Sequence, residues 1–286
     1  MTKIAVSAMT NCESFLADGV PYATKKLAEL GYHNLEISQH IQFNEETIPQ
    51  FLEARDTLGM NYCAMSTGFD GGIKGTQPPS PHPHLKSYSL TENYDEVVDT
   101  CKKIGCDILR FASIRGRKFY DMATMTSFMD ATQKMCEKLA KDGITLCVHN
   151  HAEEFVKLEG KTIFDWSLEL APSLCWEVDT LNAQRAGLNP VELISKLGPK
   201  ATLLHLQDWR IKPADPNEGQ IGRDDIYQFS ELGEGLMNIP AIIDAAVAAG
   251  TRYIIIEQAA FYGRDPYESL AIDARHLINW GYGDMM

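Results

Sequence analysis

Basic side chains are in short supply in this chain of 286 residues: 26 Lys and Arg stand against 39 Asp and Glu, a formal net charge of −13. Binding to a phosphate backbone depends on basic contacts that release counterions, so nucleic acid and anionic membrane surfaces drop out as expected partners. Cysteine is also scarce, with seven residues and no Cys-x-x-Cys pair. Cys63, Cys147 and Cys175 sit inside strand-like runs, and the set reads as reduced core thiols of a cytoplasmic protein, with no all-thiolate zinc site. Long apolar runs are missing: Ile4 to Val6 gives way to polar Asn11 and Glu13, too short for a signal segment, and nothing approaches a membrane span. No glycine-rich phosphate loop opens a helix.

What is present is an ordinary globular balance, 44% hydrophobic and 23% charged, which excludes disordered and fibrous classes. Short β-rich runs alternate with amphipathic stretches about eight times. The strands are expected at Ile4–Met9, Asn34–Ser38, Tyr62–Ser66, Ile108–Ser113, Thr145–His149, Leu174–Val178, Thr202–Leu206 and Tyr253–Glu257. Gly31, Gly59, Gly105, Gly143, Gly198 and Gly250 each close a helical stretch shortly before the next strand. Strict alternation over this length predicts an α/β fold, a single-domain (β/α)8 TIM barrel over residues 1–286, with an open doubly wound sheet as the weaker alternative. Two long loops, near 68–87 (with His82 and His84) and 211–235, are expected on the carboxyl face, either as functional loops or as surface decoration.

Strand side chains alternate between barrel interior and helix-facing exterior, so the polar residues set the phase. In Trp176-Glu177-Val178-Asp179 the apolar pair faces out and both carboxylates face in. By the same logic His205, Glu257 and the pair His149 and His151 point inward. Nitrogen and oxygen donors converging from strand ends suit one divalent cation, Mn²⁺ in first place and Co²⁺, Zn²⁺ or Mg²⁺ as alternatives, with open positions for substrate oxygens. Each residue also has a plainer role: Asp179 as a helix cap, His205 as a core histidine, Glu257 as a partner of Arg110. Glu36 and Arg110 share the inward phase on the second and fourth strands, either as contacts to substrate hydroxyls or as an ion pair with each other; Trp209 and Phe261 could wall the pocket.

The ordered set Val148-His149-Asn150-His151-x-x-Glu154-Phe155, Glu177-Val178-Asp179-Thr180, Leu204-His205-Leu206-Gln207-Asp208, Gly233-Glu234-Gly235 and Ile255-Ile256-Glu257-Gln258 resembles the xylose isomerase-like TIM-barrel family, with its sugar phosphate isomerase/epimerase group, over essentially the whole chain. The resemblance implies Asp179, His205 and Glu257 as ligands of one metal. Many members carry a glutamate where this chain has His149, so the fourth ligand is His149 or a returning Glu153 or Glu154. His151 occupies the place of the catalytic base in dehydratase relatives, and Glu154 and Glu257 are the other candidate acid–base groups. Glu36, Arg110, Glu177 and Asp208 are the expected substrate contacts.

The activity so implied is a metal-dependent isomerase or epimerase acting on a sugar, polyol or oxo-sugar. It removes the proton α to a carbonyl through a metal-stabilised enediolate. With only Glu257 clearly placed as a carboxylate base, elimination by a lyase, a dehydratase or a 3-oxo-glycoside deglycosidase fits as well, and a sugar-binding barrel without catalysis is the non-enzymatic alternative. The substrate is a small carbohydrate; a homo-oligomer or a second subunit stays open. An apurinic-site endonuclease on the same fold is disfavoured by the acidic charge.

Overall fold

The computed structural model describes residues 1–10, 12–37, 46–73, 89–114, 118–214 and 226–286. Its eight central strands are β1 Lys3–Ser7, β2 Asn34–Ile37, β3 Asn61–Ser66, β4 Ile108–Phe111, β5 Thr145–His149, β6 Cys175–Asp179, β7 Ala201–Leu206 and β8 Tyr253–Ile256. All pair in parallel with their sequence neighbours, and β1 closes the ring against β8. The outer helices are α1 Val20–Glu29, α2 Thr47–Leu58, α3 Tyr94–Ile104, α4 Met122–Lys141, α5 Ile163–Leu170, α6 Pro190–Leu197, α7 Ile239–Ala249 and α8 Pro266–Asn279. The expected TIM barrel is therefore the fold.

Local chemistry explains the boundaries. Gly59, Gly105 and Gly250 take the left-handed conformation after α2, α3 and α7, which a side chain would resist. Asp121, Thr162, Asn189 and Asp265 cap the starts of α4, α5, α6 and α8 through side-chain acceptors. Some expected strands are shorter: β1 stops at Ser7 rather than Met9, and β4 at Phe111 rather than Ser113. Ser38, His82 and His84 lie outside the described residues. The expected long loop over 211–235 is in part a two-stranded hairpin, Asp208–Ile211 against Tyr227–Ser230. Among the described residues no helix is long and apolar enough to cross a membrane.

The alternation divides the apolar residues into two layers. Val6, Val148, Trp176, Val178, Leu204 and Ile254 pack outward against the helices, where the Trp176 ring lies 4.7 Å from that of Phe164. Ala5, Cys63, Ile108, Cys147, Leu203 and Ile255 fill the barrel interior. This inner plug lies one step below Arg110, His149, His205 and Glu257 along the same strands. Bulges break the strand register at Leu35/Glu36 and at Trp176/Glu177, so two of the inward carboxylates stand where the pairing slips. Cys63, Cys101, Cys106, Cys136, Cys147 and Cys175 are all free.

One buried acid lies away from the barrel mouth. Asp273 on α8 is 1% exposed; its Oδ1 accepts from the Leu232 N–H at 2.7 Å, and its Oδ2 has no hydrogen-bond partner. Burial pushes this carboxyl up to about 8. An unfolded chain ionises it near the ordinary carboxylate value while the folded chain keeps its proton, so its contribution to stability falls as pH rises towards 8. Urea unfolding of Asp273→Asn and of the parent at several pH values should show the difference moving in the variant's favour from about pH 5 to about pH 8. A difference independent of pH would refute the assignment.

Candidate active site

Four carboxylates converge at the carboxyl end of the barrel: Glu36, Glu177 and Asp179 are fully buried, and Glu257 stands just past the end of β8. Arg110 donates to Glu36 Oε1 from Nη2 at 2.7 Å and from Nε at 3.2 Å, and its Nε lies 3.2 Å from Glu177 Oε2. His205 sits between two acids, Nδ1 at 3.0 Å from Glu257 Oε2 and Nε2 at 2.9 Å from Glu36 Oε2. His149 places Nδ1 3.0 Å from Glu177 Oε2 and Nε2 3.7 Å from Asp179 Oδ2. The plainer roles foreseen for these residues are thus present as well. Glu36 and Arg110 are an ion pair, and Asp179 Oδ1 accepts from the Asn182 N–H at 2.6 Å as the cap of the short helix Thr180–Arg185.

Capping uses only one oxygen of Asp179. Its Oδ2 accepts from Gln207 Nε2 at 2.6 Å, and the same nitrogen donates to Glu257 Oε2 at 2.8 Å. Gln207 therefore ties two acids from neighbouring strands to one amide. It continues the inward phase of Leu203 and His205, as His151 continues that of His149, and this is the signal by which sequence reasoning could have found it. Asn150 locks the fifth and sixth strand ends together: Asp179 N–H donates to its Oδ1 at 2.9 Å, and its Nδ2 donates to the Asp179 carbonyl at 3.3 Å.

The electrostatics follow from burial. Burial raises Glu36, but Arg110 and His205 outweigh it and hold the carboxyl below its usual range. Glu177 goes the other way, raised by burial and by the Glu36 charge. Asp179 is pushed up to about 7 by burial and by Glu257. Burial lowers His205, yet the surrounding carboxylates prevail and raise it. His149 is pushed well below its ordinary value by burial and by the positive groups around it, so its ring is neutral with a lone pair to offer.

This donor set fits a divalent cation. Asp179, His205 and Glu257 present one ligand atom each within 4.8 Å of one another, and His149, Glu177 and His205 form a second such group sharing His205. A proton on His205 Nε2, donated to Glu36, would fix the ring and turn the Nδ1 lone pair towards Asp179 and Glu257, the outer-shell arrangement common around metal-bound histidine. Four carboxylates face one guanidinium and the His205 imidazole held between two of them, a surplus of acidic groups that a cation would balance.

A cavity of about 360 Å³ opens over these groups, lined among others by Arg110, His149, His151, Asp179, Gln207 and Glu257. Arg185, which the sequence reading did not single out, lies on its rim. Of the ten expected site residues, the structure gathers His149, His151, Asp179, His205, Glu257, Glu36, Arg110 and Glu177. Glu154 and Asp208 are turned elsewhere. Glu154 accepts from the Ser113 hydroxyl and the Ile114 N–H (3.0 Å) on one oxygen and from the His151 N–H (2.7 Å) on the other. Asp208 accepts from the N–H groups of Trp209, Gly233, Gly235 and Met237.

The model of the xylose isomerase-like TIM barrel matches residues 24–284, and the chain belongs to that family. No curated protein matches its sequence. Among solved structures it is similar to a sugar phosphate isomerase/epimerase from Parabacteroides distasonis (19% identity, 98% of this chain and 95% of that one, TM-score 0.73). It is also similar to a probable 3-DHS dehydratase from Bacillus anthracis (14%, 97% and 99%, 0.69) and to an L-ribulose 3-epimerase (15%, 100% and 96%, 0.66). At these identities the likeness is one of fold.

Asp208→Ala should strand four backbone N–H groups, three in the 233–237 turn and one at Trp209, at a cost of about 3 kcal/mol in unfolding free energy. Chemical denaturation measures it; a loss under about 0.5 kcal/mol would contradict the anchoring role.

Proposed function

We propose that the chain is a divalent-metal-dependent enzyme that removes the proton α to the carbonyl of a small sugar, polyol or oxo-sugar, working as an isomerase or epimerase. The observation that carries the reading is the junction of the Asp179, His205 and Glu257 donor group with an imidazole, His151, on the wall of the same cavity. Bound there, a cation would supply Lewis-acid polarisation of the substrate carbonyl. Asp179, His205 and Glu257 would hold it, with His149 the fifth-strand candidate for a fourth ligand; Glu154 is committed to the Ser113 hydroxyl and to the Ile114 and His151 N–H groups and is a poor candidate for that place.

The chain's own groups supply the rest. His151 Nδ1 is buried, which leaves Nε2 to take the α proton, and an imidazole is close to neutral at physiological pH. Returning that proton to the neighbouring carbon gives isomerisation. Glu257, within the same cavity, is the second group able to exchange a proton, and its participation from another side would give epimerisation. Arg110, pinned between Glu36 and Glu177, presents a fixed positive edge to substrate hydroxyls. Gln207 keeps the Asp179 and Glu257 carboxylates from swinging apart, and Glu154 fixes the His151 backbone.

Elimination by a lyase is the second reading, favoured by the one-sided arrangement: the fifth strand brings imidazoles and no carboxylate into the cavity, so a single base can pull the α proton while a β substituent leaves.

Chelation should abolish turnover, and Mn²⁺, Co²⁺, Zn²⁺ or Mg²⁺ added back should restore it, with bound metal counted by elemental analysis. His205→Ala should lose bound metal. His151→Ala should retain metal while exchange of the substrate α proton with solvent falls about 100- to 10,000-fold. Metal lost from the His151 variant, or exchange unchanged in it, would remove His151 from the role of base.

A further inference from the structure

A second cavity of about 500 Å³ adjoins the first, and the two share Arg185 and Phe229 as a common wall. Beyond that wall it is lined by the rings of Trp209 and Tyr227, which meet edge to face with centroids 5.2 Å apart. The indole is fixed, since Trp209 Nε1 donates to Gln184 Oε1 at 2.6 Å. Phe229 is held at the junction by its N–H, which donates to the Tyr262 hydroxyl at 3.1 Å. The Arg185 guanidinium lies 5.9 Å from the centre of the Phe229 ring and makes no ion pair among the described residues. Among the described residues no carboxylate lines this cavity.

Two cavities joined at one arginine and one aromatic ring differ sharply in lining. The first is built of charges and suits the reacting carbons with their oxygens. The second is built of aromatic faces, which gain by covering the C–H face of a sugar ring or a flat aryl ring. Each is within the size range of small-ligand pockets, about 300–1,000 Å³. Arg185 stands where the two halves of a spanning ligand would be linked, with guanidinium donors that match the oxygens of a glycosidic bond.

We propose that the second cavity is a subsite for a ring carried on the reacting sugar, so that the preferred substrate is a two-ring compound whose reacting ring keeps a carbonyl, a reducing disaccharide or an oxo-glycoside, rather than a free monosaccharide. The proposal rests on the sugar-directed reading above, and it places the ring of a second saccharide or of an aryl aglycone against Trp209 and Tyr227. Either source has the same chemistry, a flat apolar face joined through oxygen.

Titration calorimetry of the metal-loaded protein with methyl β-D-glucoside, phenyl β-D-glucoside and cellobiose, and with the matching β-galactosides and lactose, tests it. A phenyl glycoside or a disaccharide should bind at least about fivefold more tightly than its methyl counterpart, the gain of one well-packed aromatic contact. Trp209→Ala should collapse that ratio, and so should Tyr227→Ala, whose half-exposed ring can be truncated without opening the core. Preference for the phenyl compounds assigns the subsite to an aglycone, and preference for the disaccharides assigns it to a second sugar. Equal or absent binding across both sets, or a preference that both variants leave intact, overturns the proposal. The glycosides serve as binding probes only, and exchange is read on the reducing sugars glucose, galactose, cellobiose and lactose: exchange of their α proton without any ring preference would leave the enzymatic reading standing and remove the subsite, and ring preference without exchange would do the reverse.

Discussion

The barrel mouth is organised around the need to keep several carboxylates buried together. Glu36, Glu177 and Asp179 have no solvent contact, and water cannot screen them. Uncompensated, such charges are costly, so the chain answers them with the few cations it can bring. Arg110 divides itself between Glu36 and Glu177, and His205 bridges Glu36 and Glu257. What these leave over appears as raised protonation of Glu177 and Asp179. A cation bound at the proposed site would displace those protons and complete the balance. The inner plug below is apolar, and a dry floor strengthens every attraction above it.

Much of this could be read from the residues in order, because two periodicities carried it. The alternation of strand and helix determined the barrel, and the two-residue period within strands determined which side chains face inward. Glu36, Arg110, His149, Glu177, Asp179, His205 and Glu257 were legible for that second reason. Other features depend on contacts between segments far apart in the chain, which no local pattern encodes. Glu154 reaches the Ile114 backbone forty residues earlier, and Asp208 gathers the N–H groups of Gly233, Gly235 and Met237. A carboxylate next to a motif looks the same in sequence whether it faces a substrate or a loop. The hairpin of Asp208–Ile211 with Tyr227–Ser230 escaped notice because its strands are only four residues long and mix polar with apolar residues.

Glu154 and Asp208 gain structural meaning from that distinction. Both accept backbone N–H groups from loops, and neither lines the cavity. Close packing makes the Asp208 arrangement specific: a Cβ on Gly235 would come within 2.1 Å of Asp208 Oδ1, so only glycine lets the turn wrap the carboxylate. The strand ends thus hold the ionic groups, and these two carboxylates hold loops.

A division of labour follows between floor and rim. On the floor each group is fixed by at least one other: Gln207 links Asp179 to Glu257, and Asn150 links the ends of β5 and β6. Changing one member disturbs the charge balance of all, so the floor is poorly suited to altering specificity. At the rim, Arg185, Tyr227 and Trp209 are at least partly exposed, and the two rings carry none of that network. The hairpin that supplies both aromatic rings begins at Asp208, two residues beyond the inward-facing side of β7. Rim and floor are therefore joined through one short piece of backbone; under the proposed function, the rim would determine what is held while the floor determines what is done to it.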